Sequence, residues 1–409
     1  MKLKFHQLAI VFLSILFFTA CEDKCYYYQE ETVYEPIYQK LSDVKNSFSV
    51  AEDFTITKPG NIYSYGKYLL VGEKMKGIHI LDNSNPASPT PLKFIHLQGN
   101  ENFTIYNDVI LADNGPDLIS ISFSDLEDIK ILNRETNVNN ERVSGDNFIV
   151  GYNAITRKVK KACDGNNGGD IAFFSSNASA SGSAASASTG KGGSMARFAI
   201  ISNYLYIASS SQLFPFNITN PEKPVKELTM GLNGSNVETL FPYKSYLYMG
   251  TSSGVLIYNT ASSKATPSYV NTLWHITGCD PVIVQNDYAF STVRGGSVCR
   301  TTNNSQLNAY NVKDPQSATM VYSQNMLEPY GLDMKDDLLF VCQGKNGLYV
   351  YDWNETNTNL TLRHSYPDIH AFDVIVNGNT LIVTADNGLF QFDITSKDNI
   401  VYLSKLADF

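Results

Sequence analysis

The chain is short of charge, and the charge it has is mostly acidic. Of its 409 residues, 17 % are Asp, Glu, Lys or Arg, and 31 basic residues face 40 acidic ones, for a formal charge of −9. Nonspecific nucleic-acid binding needs a basic face to neutralise phosphates, so that function class is excluded. None of the six cysteines forms a Cys-x-x-Cys pair, which argues against zinc and thioredoxin-like chemistry. The histidines that follow the N-terminal segment (His79, His96, His275, His364, His370) show no metal-ligand spacing. Past the first twenty residues, no apolar run is long enough to span a membrane.

Familiar chemical motifs are missing too. Gly190-Lys191 lacks the earlier Gly and the following Ser or Thr of a phosphate loop. Gly250-Thr-Ser252-Ser-Gly254 fits G-x-S-x-G, but it falls on a predicted hairpin, where a nucleophile elbow needs a strand-to-helix turn. Asp164 to Asp170 has the look of a calcium loop but has Ser175 where the acidic twelfth ligand belongs. No catalytic residue, metal or cofactor is expected from these patterns.

What is abundant points to strands. Aromatics reach 12 %, with 25 Tyr, alongside 27 Gly and 15 Pro, and hydrophobic residues make up 43 %. This is the composition of many short strands joined by turns, and it is too apolar for a disordered chain. The length alone suggests two to three domains, although all-β folds can carry it as one.

A repeat organises most of the chain. Seven segments share an apolar strand: Tyr68-Leu-Leu-Val71, Asp108-Val-Ile-Leu111, Tyr204-Leu-Tyr-Ile207, Tyr246-Leu-Tyr-Met249, Tyr288-Ala-Phe-Ser291, Leu338-Leu-Phe-Val341 and Thr380-Leu-Ile-Val383. Their second residues are Leu69, Val109, Leu205, Leu247, Ala289, Leu339 and Leu381, at intervals of 40, 96, 42, 42, 50 and 42. Four intervals match the period of a four-stranded propeller blade. The interval of 96 carries one unit plus about 54 extra residues. A second apolar run follows each anchor, best seen in Gly77-Ile-His-Ile-Leu-Asp82, Gly254-Val-Leu-Ile-Tyr-Asn259, Gly347-Leu-Tyr-Val-Tyr-Asp352 and Gly388-Leu-Phe-Gln-Phe-Asp393. Gly permits a positive φ at a tight hairpin, and the run suits a strand buried on both faces. The closing Asp or Asn starts a turn by accepting nearby backbone N–H groups, which explains the series without a metal. His79 lies on such a strand and reads as a core residue.

These units resemble the LVIVD-repeat β-propellers common among Bacteroidetes lipoproteins. The likeness is carried by Gly278-Cys279-Asp280-Pro281-Val282, Pro329-Tyr330-Gly331-Leu332-Asp333 and Asp386-Asn387-Gly388-Leu389-Phe390-Gln391-Phe392-Asp393, and covers about residues 60 to 409 apart from the large insertion. It implies an all-β propeller fold and no single chemistry. Seven anchors suggest seven four-stranded blades over 51–409, with 51–60 adding an outer strand to the last. The alternative is an eighth blade inside 134–195, using Asn147-Phe-Ile-Val-Gly-Tyr152 as one strand. Ser175 to Ala196 is rich in Ser, Ala and Gly, with little to bury, which favours an insertion at about 134–195.

The N-terminus supplies an address. Lys2 and Lys4 precede an apolar run, Leu8 to Phe18, that is too short to cross a bilayer. It reads as a signal-peptide core over residues 1–20. Phe18-Thr19-Ala20-Cys21 resembles the bacterial lipobox, which implies lipidation of Cys21 and an outer-membrane lipoprotein. Residues 21–50 read as a polar, Tyr-rich tether. Glu22 and Asp23 resemble the acidic surface-export signal of Bacteroidetes lipoproteins. Export permits disulfides, and Cys279 and Cys299 fall on one predicted face, with Cys163 a competitor for either; Cys342 reads as a buried apolar residue.

The expected function is a binding or scaffold module for a glycan, peptide or protein partner, with a subunit of an envelope assembly machine as a variant of it. The alternative is a hydrolase or lyase working on a polymer at the channel mouth. The expected binding face carries the inner-strand starts: Asn61, Glu101, Arg197, Glu238, Asp280, Tyr330 and Asp373, with His275 and His370 in loops just ahead of two of them. The insertion joins the same face and is a potential lid or docking arm.

Overall fold

A computed structural model of the chain describes residues 26–52, 55–162, 191–232, 236–275, 281–295 and 304–406. Among these residues there are eight antiparallel sheets. Seven contain a four-strand meander, spanning residues 59–96, 103–135, 198–231, 237–274, 282–326, 332–366 and 371–406. In the third, the outer position is split between Val225–Lys226 and Met230–Gly231. The eighth sheet is three-stranded and joins Tyr26–Lys40, Asn147–Ala162 and Val143–Ser144.

The first strand of each meander packs beside the first strand of the next. The series runs Pro59–Tyr65, Phe103–Tyr106, Phe198–Ile201, Val237–Tyr243, Val282–Gln285, Leu332–Lys335 and Ala371–Asn377, then returns to Pro59–Tyr65. That cycle surrounds an axis toward which the edges of the seven inner strands face.

The repeat signature has a physical basis. Second and third strands are buried on both faces; Leu69, Leu70, Val71, Ile78, Ile80 and Leu81 have no exposure at all. Their packing is interlocked between sheets. Trp353 of the sixth meander lies edge-on against Phe290 and Tyr288 of the fifth, with ring centres 5.1 and 5.3 Å apart. The glycine that opens the third strand is forced by close approach. A methyl on Gly77 would lie 1.9 Å from the carbonyl oxygen of Ile95, and one on Gly347 would lie 2.6 Å from that of Tyr366. Gly77, Gly347 and Gly388 also take positive φ. Gly254 is not among the positive-φ glycines; its methyl would meet the Leu273 carbonyl at 2.7 Å, so contact rather than φ selects Gly there. The Asp and Asn at the strand ends are turn caps: Asp82, Asn217, Asn259, Asn311 and Asp393 each accept the backbone N–H two residues on.

Three expectations change. Residues 51–60 do not complete the last meander, whose outer strand is the chain's own Asn399–Leu406. Instead Ser49–Ala51 pairs with Thr90–His96 at the outer edge of the first meander. The stretch read as a polar tether holds the strand Tyr26–Lys40 and the short helix Leu41–Lys45. Val44 of that helix is fully buried, its carbonyl accepts from Asn114 Nδ2 at 2.9 Å, and Lys45 pairs with the buried Asp117 at 2.9 Å. One apolar residue and one ion pair therefore dock a segment whose composition is otherwise polar. Asn147–Ala162 does contain the strand foreseen at 147–152, but in the three-stranded sheet and not in a four-strand meander.

Residues 26–36 with 152–162 belong to a separate compact unit. It joins parts of two strands far apart in the sequence, with Tyr26, Tyr27, Tyr28 and Tyr34 exposed, and Lys160 Nζ sits 3.8 Å above the Tyr26 ring.

Candidate functional site

The connections that lead into the inner strands share one face with the turns between second and third strands. On this face, between the second and third meanders, is a cavity of about 50 Å³. Its wall includes Glu101, Asn102, Glu141, Arg142, Phe148 and Arg197. Two ion pairs span it: Arg142 Nη2 to Glu101 Oε1 at 2.8 Å, and Arg197 Nη1 to Glu141 Oε2 at 3.4 Å. Glu141 is further held by the Ser210 backbone N–H at 2.6 Å. The backbone that carries Glu101 is fixed from beneath by Asp113. That carboxyl accepts from Glu101 N at 2.7 Å, from Asn102 N at 3.0 Å and from Asn102 Nδ2 at 2.9 Å. Burial pushes Asp113 up to about 7 despite these donors. Burial also lowers Lys74, whose charge faces Glu101 and Arg142.

A void of this size holds a few waters or one functional group, not a whole ring. Two charge-balanced pairs leave both donors and acceptors on its walls. The arrangement suits the polar end group of a larger ligand lying across the face.

A second cluster spans the fifth to seventh meanders. The Arg294 guanidinium stacks on Tyr330 at 3.8 Å, and the Tyr330 hydroxyl donates to Glu328 at 2.9 Å. Burial pushes that phenol up to about 12, with Arg294 opposing. His370 Nδ1 lies 2.8 Å from Asp386 Oδ1, and both side chains are more than a third exposed.

The expected face residues therefore separate into groups. Glu101 and Arg197 line one cavity. Asn61 is buried beside it, its Nδ2 donating to the Glu101 carbonyl at 2.7 Å. Tyr330 and His370 belong to the second cluster. Glu238 and Asp373 are buried on their inner strands. His275 directly follows the strand Ser268–Trp274. Asp280, Cys21, Cys163, Cys279 and Cys299 lie outside the described residues. Cys342 is fully buried, and burial drives its thiol well above the usual range. His79 is a core residue, stacked on Phe94 and 3.3 Å from Glu73. Gly250 to Gly254 is a hairpin turn in which Thr251 Oγ1 donates to the Gly254 carbonyl at 2.7 Å, and it makes no elbow.

Sequence reasoning missed Arg142, Glu141, Asp113 and Arg294. None belongs to a motif: Arg142 and Glu141 come from the insertion, Arg294 reaches Tyr330 across two meanders, and Asp113 bonds the backbone ahead of its own meander's first strand.

A model of the LVIVD repeat matches residues 58–96, which is the first meander. No curated protein matches the chain. Solved structures do. BamB from Moraxella catarrhalis superposes with a TM-score of 0.51 at 8 % identity, covering 88 % of this chain and 99 % of its own. The fold is a repeat β-propeller. The periplasmic gluconolactonase of Pseudomonas aeruginosa gives 0.53 at 11 % identity, covering 88 % and 96 %. The WD40 repeats of RRP9 give 0.52 at 9 %, covering 86 % and 92 %. At such identities the likeness concerns fold alone, and a lactonase and a WD40 repeat domain share it equally.

Proposed function

We propose that this chain is a cell-envelope lipoprotein whose propeller of seven blades is a binding or scaffold module for a glycan, peptide or protein. The anchor is Cys21, after removal of residues 1–20, and the address is the outer membrane. The three-stranded sheet is not counted among the blades. The observation that carries the reading is the cavity between the second and third meanders, where Glu101, Arg142, Glu141 and Arg197 meet on a rigid scaffold as two charge-balanced pairs. A hydrolase or lyase at the channel mouth would need its inner-strand carboxylates free, yet Asp333 and Asp373 are engaged by residues 191–194.

The test is capture from intact cells followed by mass spectrometry, with a glycan array run in parallel. The parent chain is compared with Glu101→Ala/Arg197→Ala. Loss of the same partner or glycan from the double variant, with the fold retained, supports this site. Equal capture by both places the binding surface elsewhere.

A further inference from the structure

The free edges of the inner strands are not empty. After the Ser/Gly/Ala-rich stretch, the chain returns along the axis before starting the third meander. Lys191–Gly192 adds a short antiparallel strand to the axial edge of Pro59–Tyr65, opposite Ser64 and Tyr63. Lys191 Nζ reaches Asp333 Oδ2 on the sixth inner strand at 2.6 Å. Ser194 Oγ accepts from Leu332 N at 2.8 Å and lies 3.4 Å from Asp373 Oδ1 on the seventh. The Ala196 carbonyl accepts from Leu240 N on the fourth at 2.5 Å. Arg197 N donates to Asn102 Oδ1 at 3.3 Å, beside the second. Seven consecutive residues thus touch the first, second, fourth, sixth and seventh meanders, and Ser194, Met195 and Ala196 are buried in doing so.

We infer that residues 191–197 are a built-in plug, latched on Asp333 and Asp373, which closes the axis and fixes Arg197 in the wall of the neighbouring cavity. A surface loop would not need Gly at 193. Here a methyl on that residue would fall 2.0 Å from Asp373 Oδ2, and one on Gly331 would fall 2.2 Å from Oδ1. The carboxyl is clamped between two glycines, a fit that only a seated plug creates. The Asp373 side chain has a buried oxygen, Oδ2, with no hydrogen-bond partner. That suits a protonated acid better than an anion.

The latch is therefore sensitive to pH. Burial pushes Asp373 up to about 7, while the backbone N–H groups of Val374 and Ser194 oppose it and the charge of Asp333 adds to it. Among the described residues Cys342 also faces it, itself protonated. Lys191 is committed to Asp333, and Pro59–Tyr65 brings no carboxylate or amine. About a tenth of Asp373 is ionised at pH 6 and nearly all at pH 8.5. Above neutrality the plug holds two adjacent carboxylates against one lysine.

Hydrogen exchange read by mass spectrometry on the full chain tests this, using peptides that cover 191–197 and correcting for the intrinsic pH dependence of exchange. In the parent at pH 6 these amides exchange far more slowly than in an unstructured chain. Their protection falls about tenfold by pH 8.5. Asp373→Asn abolishes the fall. Gly193→Val removes protection from 191–197 at both pH values while the strands at 69–71 and 381–383 keep theirs. If Gly193→Val fails to fold, Ser194→Ala serves, with a smaller loss confined to the same peptides. Unstructured-chain exchange of 191–197 in the parent at pH 6 overturns the plug. So does unchanged protection in a folded Gly193→Val. Protection in the parent that does not change with pH overturns the latch.

Discussion

Replacing Asp373 by Asn isolates the energetic cost of one buried carboxyl. Its acidity moves from 3.8 to about 7 on folding. The folded state thus favours the protonated form. The stabilisation this confers is complete below pH 3.8, drains away as pH rises, and is gone above about 7. The full difference corresponds to about 4 kcal/mol, of which about 3 kcal/mol falls between pH 5 and 8.5. Release of the plug limits it, because the chain can relieve the charge by unseating 191–197 for less. Asn cannot ionise, but its amide would occupy the place of the unpartnered Oδ2, at a cost of about 1–3 kcal/mol. The two effects oppose each other with pH. Asp373→Asn should be less stable than the parent at pH 5 and equal or more stable at pH 8.5. With the 335 described residues unfolding at about 2.1 cal/mol/K each, 3 kcal/mol is about 4 °C in Tm. Other groups titrate in this window, Asp113 among them, so the measured quantity is the variant-minus-parent difference, taken from denaturant unfolding at each pH and followed by Trp fluorescence. A difference that stays constant within about 0.5 kcal/mol from pH 5 to 8.5 refutes the reasoning.

Glycines with different surroundings should respond differently. Gly77→Ala drives a methyl into the Ile95 carbonyl and should cost about 2–4 kcal/mol, whereas Gly66→Ala, at φ +56° with nothing within 4 Å, should cost about 1 kcal/mol or less. Thermal melts of the two variants should fall in that order, and equal losses would remove close approach as the cause. Cys21→Ala should move the protein from the detergent-dependent membrane fraction to the soluble one; retention in the membrane would remove the lipid anchor. Non-reducing peptide mapping of the exported protein should recover Cys279 and Cys299 as a linked pair, and a bridge over about 20 residues would contribute roughly 3 kcal/mol. Recovery of both as free thiols, or of either joined to Cys163, would overturn the pairing.

Much of the fold was legible because its determinants are local. The anchor strands and the Gly…Asp/Asn strands are fixed by burial on both faces, by a glycine at one end and by a turn cap at the other. All of these leave marks within six residues of sequence. The cap at Asn259 or Asp393 is visible as soon as the periodic run ends. The ordering of residues 26–51 was not legible. The docking of its helix rests on Val44 and on Lys45 meeting Asp117, a partner 72 positions away that opens the third strand of the second meander. The plug was obscured for a related reason. Gly192-Gly193-Ser194 closes a low-complexity stretch and reads as linker, and only the position of Asp373 shows that small residues are required there. The cavity was half legible: Glu101 and Arg197 follow from counting back along the repeat, but Arg142 and Glu141 come from the insertion, which has no period to count.

The pattern of what repeats bears on where function can reside. Second and third strands must pack against neighbours on both faces, so their sequences converge on one apolar pattern. The inner strands have one edge facing the axis, and the polar residues at or beside their starts vary between meanders: Asn61, Glu101, Arg197, Glu238, Tyr330 and Asp373. Packing does not demand that variety, and uniform apolar residues would satisfy the ring. In this chain part of it answers to the plug, through Asp333 and Asp373. Another part answers to the cavity, through Glu101 and Arg197. The two are joined in four residues of backbone, with Ser194 against Asp373 at one end and Arg197 beside Glu141 at the other. A ligand group that orders Arg197 would favour the seated plug, and a plug released at high pH would loosen the cavity wall. By linkage the two effects must be equal in free energy.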